Sequence, residues 1–127
     1  MCIRDSNVAY ETEHDWRAEA AAGAAELIRH GVTSVADIVT DLEAVTVLHD
    51  AGLHGITYWE VMGWENTAWH ERGREQVVEE LARIPALPGP GLSPHAPYSL
   101  EVEPLLEIPD IAPVSYTHLT LPTKRIV

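Results

Sequence analysis

The stretch VTSVADIV, residues 32–39, decides how this chain is interpreted. It is short, apolar and rich in β-branched residues, which is typical of a strand buried in a parallel sheet rather than of a one-sided surface strand. A second stretch of this kind, GITYWEVM, spans residues 55–62, and a shorter one, GLS, spans residues 91–93. The sequence therefore predicts three strands.

Helices are predicted before and between the first two strands. Apolar and small residues recur at a spacing of three and four over residues 16–28, and Gly31 follows as a C-cap. Thr40 and Glu43 have the spacing of a capping box, which predicts a helix that opens there and ends at Gly52. The first two strands are thus each preceded by an amphipathic helix.

Two further helices are expected around the third strand. Asn66 is a candidate N-cap for a helix that extends to Ile84, and Pro104 is a candidate first residue for a short helix near the end of the chain. Alternating helices and strands with short connections imply a parallel α/β sheet with right-handed crossovers. Its edges would be completed either by one or two more strands of a doubly wound sheet or within a (β/α)8 barrel, which needs about 250 residues.

Composition excludes several classes of function. The 127 residues are 46% hydrophobic and 22% charged, and eight Lys and Arg against twenty Asp and Glu give a net charge of −12. Such a charge repels phosphate backbones and anionic membranes, so no nucleic-acid or membrane partner is expected. Cys2 is the only cysteine, and the N-terminus lacks the apolar core of a secretory signal. A cytoplasmic location is the resulting expectation.

The two ends differ in character from the middle of the chain. Residues 1–6, MCIRDS, and residues 114–127, VSYTHLTLPTKRIV, resemble translated sequencing-adaptor DNA of the kind found in genes assembled from environmental samples. Segments of that kind are excluded from reasoning about the fold. The domain is accordingly expected to lie within residues 7–113, as an internal piece of a longer protein.

Three polar residues are expected near the carboxyl ends of the strands, where parallel α/β folds bind their ligands. Asp37 is either a base or ligand, or a cap for the following turn. Glu60 lies in an apolar strand, where a carboxylate needs a partner, so it either holds an arginine or contacts a ligand. His95 lies between Pro94 and Pro97 on a stiff turn, either in a binding site or bonded to the backbone. The sequence shows no His-x-His, His-Glu-x-x-His or paired cysteines for a metal.

The stretch SPHAPYS, residues 93–99, resembles the fourth-strand segment of the amidohydrolase superfamily, in its branch of cytosine, guanine and S-adenosylhomocysteine deaminases and chlorohydrolases. HGVTSVAD, residues 30–37, is similar to the second strand of that family. AGLHG, residues 51–55, followed by EVMG, residues 60–63, is similar to its third. The resemblance covers about residues 10–110 and implies a partial (β/α)8 TIM barrel, strands two to four with flanking helices.

The resemblance also implies a chemistry. Family members hydrolyse C–N bonds with water activated by a divalent metal, zinc or iron, and the family's metal ligands and its acid/base glutamate would lie outside this chain. The chain would then hold no metal and no catalytic residue. His95 matches a substrate-contacting histidine that donates or accepts a hydrogen bond, and Glu60 and Tyr98 lie where pocket residues are expected. The substrate would be a small heterocyclic or amidine-like molecule, and this piece alone would be inactive.

Two other interpretations compete with this one. The chain is either a complete small acidic α/β binding domain without catalysis, or a complete acid/base enzyme that uses Asp37, Glu60 and His95. The second alternative requires those three side chains to converge within hydrogen-bond reach.

Overall fold

The computed structural model describes residues 15–87 and 89–111, which form a three-stranded sheet and its helices. The predicted terminal segments 1–6 and 114–127 lie outside the described residues. The elements in chain order are α1 (Trp16–Arg29), β1 (Ser34–Val39), α2 (Val47–Ala51), β2 (His54–Val61), α3 (Asn66–Ala68), a π-helical turn (Trp69–Gly73), α4 (Arg74–Leu81), β3 (Pro90–Pro94) and α5 (Val102–Ile111). The predicted alternation of helices and strands is confirmed.

All strand pairs are parallel, and the order across the sheet is β1-β2-β3. Strand β2 is central: its Tyr58 is in register with Ile38 on one side and with Gly91 on the other. The expected partial (β/α)8 barrel is wrong. Among the described residues β1 and β3 are both sheet edges, whereas a barrel needs its first and last strands to pair. The chain is a small α/β domain with an open sheet.

One face of the sheet is covered by helices. Along β2, Thr57, Trp59 and Val61 are buried on this face, since successive side chains of a strand point to opposite faces. They lie in the same core as Trp69 and Val77, which are 0% exposed. We call this side of the sheet the covered face.

The opposite side, which we call the open face, has no helix packed on it among the described residues. Ala36 and Ile38 of β1 lie beside Ile56 and Tyr58 of β2 there, and Ile38 is 56% exposed. A shallow depression of about 270 Å³ runs over Ala36, Ile38 and Tyr58 towards Ser93 of β3. Parallel sheets normally have both faces buried, so this apolar surface is unusual for an α/β fold.

Helix starts differ from the sequence-based predictions because local side chains bond elsewhere. The Asp41 carboxylate accepts the Glu43 N–H at 2.8 Å, residues 42–46 form turns, and α2 begins only at Val47. The predicted capping box at Thr40 is therefore wrong. Asn66 is the first residue of α3 rather than its N-cap, and its side-chain oxygen accepts the Glu103 N–H at 3.0 Å. This bond ties α3 to the start of α5.

Two further predictions concern the end of α1 and the start of α5, and their outcomes differ. Helix α1 ends close to the predicted place, with Gly31 in the left-handed region at φ +82°. Pro104 is the third residue of α5 rather than the first, and it is buried. None of the helices in residues 15–87 and 89–111 has the length and apolar character needed to cross a membrane.

Candidate functional site

The turn that carries His95 is fastened to the end of β2 from both sides. The His95 N–H donates to the Val61 carbonyl at 3.0 Å, and the Gly63 N–H donates to the Ser99 carbonyl at 2.7 Å. Gly63 has φ +76°, a conformation that suits glycine. The turn is therefore held at the carboxyl end of the sheet, where parallel α/β folds bind their ligands.

Within the turn, the backbone and the side chain of Ser99 both bond to the Ala96 carbonyl. The Ser99 N–H and the Ser99 hydroxyl each donate to the Ala96 carbonyl at 3.0 Å. Pro97 occupies the second position of this four-residue turn, where its restricted φ is favoured. Both features limit the motion of the loop that bears His95.

His95 is exposed, and its Nδ1 lies 2.8 Å from the Ser99 hydroxyl oxygen. Its other ring nitrogen, Nε2, has no hydrogen-bond partner among residues 15–87 and 89–111. The His95 ring therefore bonds to a side-chain hydroxyl and not to the backbone, which was the alternative that the sequence left open. One ring nitrogen is left for a ligand.

Tyr98 stands next to His95. The two ring centroids are 5.6 Å apart and the ring planes are perpendicular, an edge-to-face contact. Tyr98 is 77% exposed, so its ring is a wall of the site rather than part of the core. The structure therefore brings together two of the three residues predicted to contact substrate.

Glu60, the third of these residues, lies on the open face of β2. It is in register with Ser93, and it is half-buried. Its carboxylate makes no ion pair or hydrogen bond within the described part of the chain, so no arginine there is its partner. Glu60 does not bond His95 or Tyr98 directly, although the next residue, Val61, accepts the His95 N–H.

Asp37 lies on the other side of the sheet. It is in register with Thr57, whose side chain is on the covered face, and it borders a cavity of about 220 Å³ between α1, β1 and α2. Burial raises the pKa of its carboxyl above the ordinary value of 3.8. Asp37 and Glu60 lie on opposite faces of the sheet, so the side chains of Asp37, Glu60 and His95 do not converge within hydrogen-bond reach. The hypothesis of an acid/base enzyme that uses these three residues is therefore wrong.

The remaining described histidines are on the surface. Three of these four histidines, all except His54, have a ring nitrogen in contact with a carboxylate: His30 contacts Glu26, His49 contacts Asp50, and His70 contacts Glu103. The last pair is exposed on both sides and links the π-helical turn to α5. These contacts lie on the exposed surface, where such pairs contribute little to stability or binding.

No group of three or more His, Cys, Asp or Glu in residues 15–87 and 89–111 could hold a metal ion. The described residues alone therefore offer no complete ligand set for a metal ion. Ser99 is a site residue that sequence reasoning did not single out. Its position four residues after His95, in a turn with Pro97 between them, is the signal that could have identified it.

Three comparisons with known proteins, against family models, curated sequences and solved structures, found no match.

Proposed function

We propose that this chain is a segment of a metal-dependent amidohydrolase of the deaminase type and that it supplies a substrate-contacting turn, residues 93–99. The observation that carries the proposal is the fastened turn at the carboxyl end of the sheet, with His95 exposed and its Nε2 without a described partner. The sequence resemblance described above supports the same assignment for the same residues.

The open face gives the proposal a second support. Parallel sheets normally have both faces covered, and Ile38 and Tyr58 lie on an apolar surface that no described helix covers. In a longer protein, further chain would cover this face and enclose Glu60 beside the turn. A small heterocyclic or amidine-like substrate would then lie between Glu60, His95 and Tyr98.

The side chains that the described residues offer determine which part of the reaction they could serve. A divalent metal, zinc or iron, would activate the attacking water in such an enzyme. The described residues do not by themselves form a site for that metal. Their proposed work is to bind and orient the substrate, with His95 fixing a polar group of the substrate and Tyr98 limiting how its ring can lie.

The test is an assay of the protein expressed from coding DNA extended on both sides of this segment. Ammonia or amine release from cytosine, guanine and S-adenosylhomocysteine is measured with added zinc or iron. We expect hydrolysis of at least one such C–N bond, and a loss of about 10- to 100-fold in kcat/KM for His95→Ala, since one substrate hydrogen bond is removed.

The matched control is His30→Ala, because His30 is an exposed histidine on the surface of the domain that contacts only Glu26. It should leave kcat/KM unchanged. An extended protein that hydrolyses no C–N bond, or in which His95→Ala is as active as His30→Ala, contradicts the proposal. Binding of a small molecule without hydrolysis would instead favour an acidic binding domain.

A further inference from the structure

We infer that Ser99 is a positioning residue that holds neutral His95 in the tautomer protonated at Nδ1, so that Nε2 accepts a hydrogen bond from the ligand. The chemical class of ligand that follows is a hydrogen-bond donor, such as an amine, an amidine N–H or a ring N–H. The ligand class rests on the proposed function, whereas the tautomer does not.

The tautomer follows from counting protons in the turn. A serine hydroxyl has one proton to donate and two lone pairs that accept. The Ser99 hydroxyl oxygen is within bonding distance of two groups, the Ala96 carbonyl at 3.0 Å and His95 Nδ1 at 2.8 Å. A carbonyl can only accept, so the hydroxyl proton goes to Ala96, and Nδ1 must donate its proton to the hydroxyl oxygen.

The alternative arrangement makes one bond fewer. If the hydroxyl donated to Nδ1, the Ala96 carbonyl would lose the Ser99 hydroxyl and keep only the Ser99 N–H. The arrangement with Nδ1 protonated satisfies both contacts of the hydroxyl at once. In a neutral imidazole one nitrogen donates and the other accepts, so Nε2 carries the free lone pair.

The turn is stiff enough to make this preference matter. Its two ends are fastened to Val61 and Gly63, and Pro97 restricts the backbone between His95 and Ser99. The edge-to-face contact with Tyr98 further limits rotation of the imidazole. Nε2 is therefore presented in one direction, which favours a donor over a carbonyl or carboxylate group of the same size.

The experiment is a long-range proton–nitrogen NMR correlation on the whole chain, labelled with ¹⁵N-histidine and recorded with the imidazole neutral. His95→Gln assigns the resonances. We expect a protonated Nδ1 and an unprotonated Nε2 for His95, the reverse of the preference of free histidine in water. In Ser99→Ala, His95 should return to the free preference, while Ser99→Thr, which keeps the hydroxyl, should behave like the original chain.

Ser34→Ala, at the distant start of β1, is the matched control and should leave the His95 tautomer unchanged. Circular dichroism checks that each variant is folded. If Ser99→Ala does not fold, the unsubstituted chain and Ser99→Thr still decide the matter. A His95 protonated at Nε2 in the unsubstituted chain, or one insensitive to loss of the Ser99 hydroxyl, overturns the inference.

The ligand class is tested by adding aniline, a donor, or pyridine, an acceptor, at a mildly alkaline pH where both are neutral. Aniline should shift the His95 Nε2 resonance and pyridine should not. A larger shift with pyridine, or none with either, overturns the ligand class and leaves the tautomer standing. Failure of the proposed function is recognised separately, as an extended protein with the expected tautomer that hydrolyses no C–N bond.

Discussion

The two faces of strand β2 are made from adjacent residues of one stretch, yet they have opposite environments. Thr57, Trp59 and Val61 are buried under helices, whereas Ile56, Tyr58 and Glu60 lie on the open face. The apolar residues of the two sets are of similar kinds. Hydrophobicity alone therefore does not determine which face of a strand the helices cover. The polar site residue Glu60 lies on the uncovered face.

The largest loss of stability is expected from a substitution that disrupts the pairing of β1 with β2, because both faces of the sheet depend on that pairing. Gly55 has φ +130°, and a Cβ added there would lie 1.7 Å from the Val35 carbonyl oxygen. Gly55→Ala should therefore lower the free energy of unfolding by more than about 4 kcal/mol. Urea denaturation followed by circular dichroism measures this change.

The control for that variant is the same substitution in α1. A Cβ on Gly23 meets nothing within 4 Å, so Gly23→Ala should stabilise the helix by about 0.5–1 kcal/mol. Equal effects at Gly23 and Gly55 would show that the β1-β2 pairing does not have the close approach described above.

The next prediction compares two aromatic residues, Trp69 in the core under the covered face and Tyr58 on the open face. Trp69 is 0% exposed, packs edge-on to Trp64 and donates to Glu107 at 3.1 Å, so Trp69→Ala should cost about 3–5 kcal/mol. Tyr58→Ala on the open face should cost less than about 1 kcal/mol. Urea denaturation of both variants is the measurement. A Tyr58→Ala loss as large as that of Trp69→Ala would show that the open face is covered in solution.

A smaller effect of opposite sign is expected at Thr57. Its hydroxyl is buried on the covered face and has no hydrogen-bond partner in the described part of the chain. Thr57→Val keeps the shape of the side chain and removes the unpaired polar group, so it should stabilise the domain by about 1–2 kcal/mol. Thermal unfolding compares it with Thr57→Ser, which keeps the hydroxyl and should give no such gain.

The smallest effect depends on pH. Burial raises the pKa of Asp37 above 3.8, so the folded state holds this proton more tightly than the unfolded state does. The contribution of Asp37 to stability is then most favourable below the pKa that Asp37 has in the unfolded chain. It falls as the pH rises from that value through the raised pKa of the folded state, and it stays lower above that pKa. Asp37→Asn removes this penalty.

Urea denaturation at about pH 3 and about pH 7 measures the Asp37 effect. We expect Asp37→Asn to exceed the unsubstituted chain in stability at the higher pH and to approach it at the lower. A gain that is equal at both pH values would mean that ionisation of Asp37 is not the cause.

The alternation of elements could be predicted because periodicity and caps are local properties. The stretches at residues 32–39 and 55–62 became β1 and β2 with small shifts of their ends. The start of α2 could not be predicted, because Asp41 bonds the Glu43 N–H in competition with the capping box. The role of Asn66 was equally hidden, since its partner Glu103 is distant in sequence.

The site was predictable in part. The prolines around His95 indicated a stiff turn, and the structure shows that turn fastened to β2. Which face each carboxylate occupies was not predictable without the register: one pairing places Asp37 opposite Thr57, and another places Glu60 opposite Ser93. The barrel expectation failed because strand pairing at the two sheet edges depends on residues far apart in sequence, which no local pattern specifies.

We propose that this chain is part of a larger metal-dependent hydrolase, and the decisive measurement is to sequence the source DNA outward from both sides of residues 7–113. We expect a His-x-His motif in frame upstream and a histidine with a nearby glutamate in frame downstream. Reading frames that continue on both sides without these residues, or that stop at once, would contradict it.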